Sequence, residues 1–480
     1  MLFNSIAFAI FLPIVFAVYW ALPHKFRWVL VLIASYYFYM SWNAVYVFLI
    51  LFTTAVSYFA ARLMEKTDNK KKKKWVLGGT AVLCLGVLFF FKYFNFVSTS
   101  ITGFFSLFAI KLDPVTLNLL LPVGISFYTF QTLSYVIDVY KGDVPAERHF
   151  GYYAAFISFF PQLVAGPIER TRNLLPQIKA EHKFDYDKAT YGLKLMAWGF
   201  FKKLAIADVI SIYVDKVYAD LYACSGLDLV LAVFFFTVQI YCDFSGYSDI
   251  AVGTAKLLGI DLMDNFKSPY MSFSIKEFWS RWHISLSTWF RDYVYIPLGG
   301  NRVSKLRNYF NLLVTFLVSG LWHGANWTYV IWGGIHGVAQ IGEKAVKPKS
   351  EYISKDNKVL KVIKWALVFL FCNIAWVFFR APSFSDAIIV FRRIIMSFTD
   401  IGSFFNTYIG LTKIKLLVIL LLIGILAVYD YKSLKGDVIK KISAKPLVLR
   451  WAVYLSLVVG TFIVYSAMGV SNASFVYFQF

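Results

Sequence analysis

The sequence predicts an all-α integral membrane protein. Its 480 residues are 59% hydrophobic and 16% charged, whereas a soluble domain is about 45–50% apolar and about 25% charged. A helix needs roughly 20 mostly apolar residues to cross a bilayer. Segments of that length or more that carry no Asp, Glu, Lys or Arg include residues 1–23, 28–61, 114–137, 308–342 and 451–480. This composition excludes a soluble secreted enzyme, and the unbroken apolar runs exclude an outer-membrane barrel, whose strands alternate apolar and polar residues.

The basic residues predict how the chain is oriented. The net charge is +21, from 48 basic and 27 acidic residues, and the positive side chains lie in short loops between apolar runs, as in Lys70–Lys74. Cytoplasmic loops of membrane proteins are enriched in Lys and Arg, which also meet anionic lipid there. We therefore expect membrane lipids and no nucleic acid as partners. Placing every basic cluster inside leaves the N-terminus and the C-terminus outside.

The apolar runs predict the membrane helices in order along the chain. These lie near residues 4–22, 28–42, 43–63, 75–97, 117–138, 191–216, 226–250, 361–380, 412–429 and 448–468. The run 150–167 contains Pro161 and has basic flanks on both sides, which predicts a re-entrant segment. The run 308–342 also has basic flanks, but two full passes need about 40 residues. A short or broken hairpin is expected there, with its bend inside the protein.

Two segments between these helices are expected at surfaces. Residues 267–307 mix aromatic and basic side chains, which is typical of helices that lie in the cytoplasmic interface or dip into the protein. Residues 381–411 are expected on the outer surface. The count is eleven or twelve passes plus re-entrant pieces, in a single polytopic domain over residues 1–480. Its core is expected at about 117–345, with C-terminal helices in 361–480.

Cysteine spacing and the N-terminus exclude three other features. The four cysteines form no CxxC pair, so they are expected to be reduced core residues. No spacing of histidines and cysteines predicts a metal site. Residues 1–22 lack a basic n-region and a small-residue cleavage site, which predicts a retained first helix and not a cleaved signal.

Histidines inside an apolar run are the sharpest functional signal. Ionisable groups at membrane depth are costly and usually mark a function. His323 lies in GLWHGANW (320–327), where Trp322 and Trp327 are candidates to wall a pocket. Its imidazole is suited to accept a proton near neutral pH. The alternative is a structural histidine that bonds across a helix interface, and this alternative is favoured for His336.

A second signal combines one histidine with arginines. His283, Ser287 and Arg291 are spaced i, i+4 and i+8, which predicts one polar stripe if residues 277–293 form a continuous helix. The functional interpretation places His283 near a second histidine and the arginines near an anionic ligand, because Arg is suited to phosphate. The alternative is an interfacial helix with an aromatic belt and lipid-facing arginines.

Buried charges elsewhere are expected to hold the fold. Asp243 and Asp249 lie six positions apart, so they do not share one helical face and do not form an obvious paired-acid site. They are expected to pair with basic residues inside apolar helices. The candidates for that network are Lys92, Lys194, Lys202, Lys203 and Asp208. Gln162, in the predicted re-entrant segment, is a candidate to line a cavity.

Several motifs together resemble one known family. They are EFWSRWHISLSTWFRDYVYIPLGGNR (277–302), LVSGLWHGANWTYVIWGGIHG (317–337), QIYCDFSGYSDIAVG (239–253), FFPQLVAGPIER (159–170) and the opening residues 1–23. These motifs resemble the membrane-bound O-acyltransferase (MBOAT) family, and within it the alginate O-acetyltransferase (AlgI-like) branch, with D-alanyl transfer proteins of the DltB type as more distant relatives. The similarity covers essentially the whole chain.

The resemblance implies a fold and a site. The fold is an MBOAT-type ring of helices around a thin centre, where an outer funnel meets a cytoplasmic opening. His323 matches the catalytic histidine of the family and His283 matches its second position. His323 would take the proton from an acceptor hydroxyl or form a transient acyl-histidine, while His283 would orient the substrate or polarise the carbonyl. The residues expected to support the site or contact the donor are Asn326, Ser287, Arg281, Arg291 and Trp322, with the two arginines at the donor phosphates.

The resemblance also implies partners. No bound cofactor is expected, and acetyl-CoA on the cytoplasmic side is the expected acyl donor. In this branch the acetyl group passes to an extracytoplasmic acetyltransferase of SGNH type, which modifies an exported polysaccharide, and the protein lies in the bacterial cytoplasmic membrane. Open alternatives are acyl transfer to peptidoglycan or teichoic acid, a non-catalytic transporter of the acyl donor, and a scaffold for an export complex.

Overall fold

A computed structural model describes residues 1–353, 357–397 and 411–470 of the chain. Every regular element in these residues is a helix, which agrees with the predicted all-α class. Contacts divide the chain into two units. The first comprises residues 1–193 and 250–263, and the second comprises residues 194–249 and 264–480. The expectations for residues 398–410 and for the last ten residues lie outside the described part. The single-domain prediction stays a prediction.

The first unit contains the helices of the N-terminal part of the chain. They are α1 (Ile6–Ala21), α2 (His24–Met40), α3 (Val47–Glu65), α4 (Lys70–Leu88), α5 (Phe94–Ser106), α6 (Ile125–Lys141), α7 (Phe150–Ser158), α8 (Phe160–Leu163) and α9 (Thr171–Lys179). Helix α4 begins five residues before the predicted start, because the Asn69 side chain accepts hydrogen bonds from the backbone amides of Lys71 and Lys72 and so caps the lysine run. A π-helical turn at Phe89–Tyr93 connects α4 to α5.

The segment 150–167 is broken, and it is buried from Tyr153 onward, while its re-entrant path stays a prediction. Helix α7 ends at Ser158, and the short α8 begins at Phe160 and contains Pro161. The hydroxyl of Ser35 accepts a hydrogen bond from the backbone amide of Phe160, 3.0 Å away. Gln162 is buried and donates to the carbonyl of Phe156 at 3.1 Å. The break therefore has polar partners from protein, as irregular backbone at membrane depth requires.

The second unit contains the helices that position the site. They include α11 (Asp208–Ala219), α13 (Ile275–Arg281), α14 (Ile284–Phe290), α15 (Lys305–His323), α16 (Trp327–Ile353), α17 (Lys358–Arg380), α18 (Phe384–Ser397), α19 (Lys413–Ser433), α20 (Val438–Ser443) and α21 (Leu447–Ala467). Two further helices, α10 (Tyr186–Phe200) and α12 (Gly226–Leu257), contribute residues to both units.

The prediction that the hairpin in 308–342 is short is wrong. Its two helices have 19 and 27 residues because both extend into the charged flanks.

Six helical segments of the described chain are long and apolar enough to cross a membrane. They are Ala44–Glu65, Lys70–Ser106, Gly226–Leu257, Lys358–Arg380, Lys413–Ser433 and Leu447–Ala467. The protein is therefore an all-α, multi-pass membrane protein. The count of eleven or twelve passes, the ring arrangement and the orientation of the termini stay predictions.

Buried polar residues in the second unit form ion pairs, as the sequence predicts. Lys203 Nζ lies 2.7 Å from carboxylate oxygens of both Asp208 and Asp243. Lys202 Nζ lies 2.8 Å from Asp249. Breaking such a pair leaves an uncompensated buried charge, so these contacts hold α12 to the π-helical turn at Phe201–Ala207 that follows α10.

The cysteines are reduced and buried. Cys84, Cys224, Cys242 and Cys372 are all free thiols. None of them is more than 5% exposed. The prediction of reduced core cysteines is confirmed.

Candidate active site

His323 lies at the sharp turn between two closely packed helices. It is the last residue of α15, and α16 begins four residues later. Glycines allow the close approach of the two helices, since a Cβ atom at Gly320 would lie 2.2 Å from the carbonyl oxygen of Tyr329, and one at Gly333 would lie 2.2 Å from that of Phe316. Small residues permit this kind of contact in membrane helices. The Gly–His pattern around His323 therefore fixes the position of the histidine.

Aromatic rings surround His323. Its ring centroid lies 5.0 Å from that of Trp322, 5.1 Å from that of Trp332 and 5.4 Å from that of Phe379. Trp332 is fully buried and stacks on Trp376 with centroids 5.5 Å apart. Trp322 therefore packs against His323, and its role in walling a pocket stays a prediction. Trp327 is 57% exposed and does not line this buried site, which corrects the expectation for that residue.

His283 lies at a break between two short helices. Helix α13 ends at Arg281 and α14 begins at Ile284, while His283 has a left-handed backbone with φ +43°. The expected continuous helix over 277–293 is wrong, so His283, Ser287 and Arg291 do not form one helical stripe. A left-handed non-glycine residue is uncommon and needs support from its surroundings.

Asn265 supplies that support. Its backbone carbonyl accepts a hydrogen bond from the amide of Ile284 at 2.9 Å. Its side-chain oxygen lies 3.0 Å from Nδ1 of His283 and 2.9 Å from the hydroxyl of Ser285. The ring of Phe244 meets that of His283 edge-on at 4.6 Å. Burial lowers the pKa of His283 to about 3, so its imidazole is neutral at pH 7.

The structure brings the two predicted histidines together. The ring centroids of His283 and His323 lie 6.3 Å apart, and the ring of Trp322 lies 6.1 Å from that of His283. Both histidines are buried, with at most 3% of each exposed. Two imidazoles at this separation, in a site screened from water, are placed to act on one small group held between them.

A cavity of about 790 Å³ lies within the second unit, and neither histidine is among the residues that line it. Ile284 and Ser287, close to His283 in the chain, line it, as does Ser319, one helical turn before His323. Basic side chains also line it, at Lys276, Arg291 and Lys344. The cavity is in the size range of small-molecule sites.

The other predicted site residues divide into two groups. Ser287 and Arg291 line the cavity, although Arg291 Nε also donates to Asp292 at 2.8 Å. Arg281 is not among the residues that line it, and its guanidinium donates to Glu277 at 2.6 Å. Asn326 accepts from the amide of Thr328 at 3.0 Å and donates to the carbonyl of Pro382 at 2.9 Å. Those contacts fix the turn before α16, and a role for Asn326 in supporting His323 stays a prediction.

Sequence reasoning missed several residues of this site. Asn265, Trp332, Phe379, Lys276 and Lys344 were not singled out. Lys276 and Lys344 lie in the basic surroundings of the two motifs, so the charge pattern contained a signal for them. Asn265 is 18 positions from His283, and no local pattern points to it. His336, for which a structural role is favoured, accepts a hydrogen bond on Nδ1 from Trp279 at 3.2 Å.

Comparisons with known proteins identify the family of the chain. Residues 147–383 match the model of the membrane-bound O-acyltransferase family, MBOAT. The chain is 44% identical to the probable alginate O-acetylase AlgI of Pseudomonas syringae pv. tomato, over 80% of this chain and 73% of the relative. It is 39% identical to that of Azotobacter vinelandii, over 90% and 85%. It is 36% identical to the peptidoglycan O-acetyltransferase of Helicobacter pylori, over 82% and 80%.

These matches agree with the all-helical, multi-pass architecture. Both AlgI relatives are more than 30% identical to this chain, and each alignment covers more than two thirds of the relative and most of this chain. The chain belongs to the membrane-bound O-acyltransferase family and is an acyltransferase.

Proposed function

We propose that this protein is a membrane O-acetyltransferase that passes an acetyl group from a cytoplasmic thioester donor across the membrane for O-acetylation of an exported polysaccharide. The observation that carries this proposal is the similarity to proteins named alginate O-acetylase, which extends over 80–90% of the chain. The buried pair His283 and His323 supplies groups suited to the chemistry.

The proposed reaction moves one proton and one acetyl group. A hydroxyl is a poor nucleophile until a base takes its proton, and a positioned base contributes about 10²–10⁴-fold. His323 takes that proton while the hydroxyl oxygen attacks the thioester carbonyl. The carbon–sulfur bond then breaks, and the departing sulfur receives the proton from His323. A transient acyl-His323 is the covalent variant of the same step.

The cavity in the second unit, lined by residues that lie near both histidines in the chain, is the proposed site of the donor, acetyl-CoA. Its lining includes three basic side chains, Lys276, Arg291 and Lys344, against one acidic side chain, Glu343, and this excess of positive charge suits a ligand that carries phosphates. Ser287 lies on the same wall, close to His283 in the chain. Arg281 pairs with Glu277 and Arg291 pairs with Asp292, but only Arg291 lines the cavity, so Arg291 is the stronger candidate for phosphate contact.

The location and partners follow the same proposal. The protein lies in the bacterial cytoplasmic membrane with both termini outside, which the placement of the basic clusters supports. The acetyl group passes to an extracytoplasmic acetyltransferase of SGNH type, and that partner modifies the polymer. Peptidoglycan is the second candidate polymer, because one relative of 36% identity is named for it.

Complementation tests the enzyme proposal. Wild type, His323→Ala and His283→Ala are expressed at matched membrane levels in a deletion strain, and ester-linked acetate is measured on the purified envelope polymers. His24→Ala, at the start of α2, is the matched control. We expect acetate to vanish with His323→Ala and to persist with His24→Ala. The polymer that loses acetate identifies the acceptor.

A different result would favour one of the alternatives. Acetate that persists with His323→Ala, but is absent in the deletion strain, would contradict general-base catalysis and favour a transporter or scaffold. Loss of D-alanine esters with acetate intact would favour transfer to teichoic acid.

The donor site has its own test. Initial rates of purified protein in lipid nanodiscs are measured against acetyl-CoA concentration for Arg291→Ala and Arg281→Ala. We expect Arg291→Ala to raise KM about tenfold, since one lost charged hydrogen bond is about 1.5 kcal/mol or more. Arg281→Ala is the matched control and is expected to leave KM near the wild-type value. Equal effects of the two variants would contradict the placement of the phosphates in this cavity.

A further inference from the structure

The segment around Asn265 holds both sides of the helix break at His283. The backbone carbonyl of Asn265 accepts from the amide of Ile284, and two residues further on the amide of Lys267 donates to the carbonyl of Arg281 at 3.0 Å. The side-chain amide of Asn265 donates to the hydroxyl of Ser248, on α12, at 3.2 Å. The break is therefore tied to a long helix through one buried asparagine.

The orientation of the Asn265 amide follows from its neighbours. The backbone amide of Ser285 lies 3.3 Å from one of the two terminal side-chain atoms of Asn265. A backbone N–H only donates, so the atom that faces it is the oxygen Oδ1. The hydroxyl of Ser285 lies 2.9 Å from the same oxygen, and a hydroxyl can donate to it.

The tautomer of His283 follows in turn. Nδ1 of His283 lies 3.0 Å from this oxygen. Asn265 Oδ1 has no proton to give, so Nδ1 must carry the hydrogen of this bond. A neutral imidazole has one N–H, which leaves the lone pair on Nε2. The bond made by one ring nitrogen sets the role of the other.

We propose that Asn265 is a positioning residue that holds His283 in the Nδ1–H tautomer, so that His283 presents Nε2 as a hydrogen-bond acceptor to a hydroxyl of the acceptor substrate. The role of His283 toward substrate rests on the proposed function, whereas the tautomer does not.

This assignment separates the two roles considered for His283. Polarising the thioester carbonyl needs an N–H that points at the carbonyl oxygen, and the only N–H of neutral His283 is used by Asn265. Orienting a hydroxyl needs an acceptor, and Nε2 provides one. His283 therefore orients the acceptor substrate through a hydroxyl that neighbours the attacking one, while His323, with its ring centroid 6.3 Å away, takes the proton of the attacking hydroxyl.

The tautomer is measured directly by nitrogen NMR. Protein with ¹⁵N-labelled histidine is reconstituted in lipid bilayers at pH 7, and the His283 signals are identified by their absence in His283→Gln. We expect a protonated Nδ1 and an unprotonated Nε2. A His283 that is protonated on Nε2, or on both nitrogens, would overturn the proposal. This measurement needs no acetyl transfer, so it is independent of the proposed function.

Kinetics of Asn265 variants test the consequence. Asn265→Ala removes the acceptor, and we expect a mixture of His283 tautomers and a fall in kcat on the order of 10–100-fold, with KM for acetyl-CoA nearly unchanged. Asn265→Asp keeps an oxygen acceptor, so we expect it to retain the Nδ1–H tautomer and most of the activity.

Asn373→Ala is the matched control. Asn373 is also buried, accepts from the hydroxyl of Thr237 at 2.9 Å and donates to the carbonyl of Phe369 at 2.8 Å. The Asn373→Ala variant therefore loses comparable hydrogen bonds, at a residue that does not contact His283. Equal falls in kcat for Asn265→Ala and Asn373→Ala, or no rescue by Asn265→Asp, would reduce Asn265 to a structural residue and overturn the proposal.

Discussion

The two histidines of the site are held by different kinds of contact. His283 sits at a left-handed break, and Asn265 binds its ring and its neighbours through hydrogen bonds. His323 ends a long helix, and Trp322, Trp332 and Phe379 pack around it. Hydrogen bonds determine which ring nitrogen carries the proton, whereas ring packing determines position and excludes water. We expect polar substitutions near His283 to change protonation and volume changes near His323 to change stability.

The largest expected effect is at Trp332. Trp332→Ala removes a fully buried ring that contacts His323, Trp376 and Phe379. We expect the free energy of unfolding to fall by about 3–5 kcal/mol. Thermal unfolding in detergent, with the lipid concentration held constant, measures this change. Trp451→Ala, at a side chain 54% exposed on α21, is the control and is expected to change stability by about 0.5 kcal/mol or less. Similar losses from both variants would show that ring packing does not hold His323.

The next effect is at the hairpin glycines. Gly320→Ala places a Cβ atom 2.2 Å from the backbone oxygen of Tyr329, so α15 and α16 must separate. We expect a loss of about 1–3 kcal/mol together with lower activity, because His323 moves with the end of α15. Gly342→Ala is matched, since a Cβ atom there meets nothing within 4 Å. A stable, active Gly320→Ala would show that close helix packing is not needed at His323.

A smaller effect is expected at Ser285. Ser285→Ala removes one of the donors to Asn265 Oδ1, while the backbone amide of residue 285 remains. We expect a loss of about 1 kcal/mol in the free energy of unfolding and no change in the His283 tautomer. The ¹⁵N spectrum of this variant checks the result. A switch to the Nε2–H tautomer would show that the Ser285 hydroxyl, and not Asn265 alone, determines which ring nitrogen of His283 carries the proton.

The smallest effect is expected at Ser248. Ser248→Ala removes the 3.2 Å bond from the Asn265 amide, which anchors the oxygen without touching His283. We expect a loss of about 0.5 kcal/mol and kcat near the wild-type value. A fall in kcat as large as that of Asn265→Ala would show that the link to α12 is as important as the acceptor itself.

Sequence patterns predicted the long helices and the approach of His283 to a second histidine. Uncharged runs mark helices well, because a segment in the bilayer must satisfy its backbone hydrogen bonds internally and must carry few charges. The helix ends were less well predicted, as at α4, where Asn69 extends the helix over the lysine run. The pairing of Asp243 with a buried lysine was also predicted and is confirmed.

The break at His283 was not predictable from its surroundings. Residues 281–285 contain no Gly or Pro, and their spacing fits one helix. A partner 18 positions earlier in the chain overrides that local preference, as tertiary contacts often do. At the start of α13 the Ser274 hydroxyl accepts from the amide of Glu277 at 3.0 Å, and this N-cap is a local signal that a helix begins there.

The four buried thiols make the chain suited to chemical mapping of its topology. Each native cysteine is at most 5% exposed, so a membrane-impermeant maleimide is expected to label wild-type protein in intact cells only weakly. A single cysteine introduced in a loop then reports the side of the membrane on which that loop lies. Cysteines placed in turn near residues 70 and 436 would therefore reveal the orientation of the chain without removal of any native thiol.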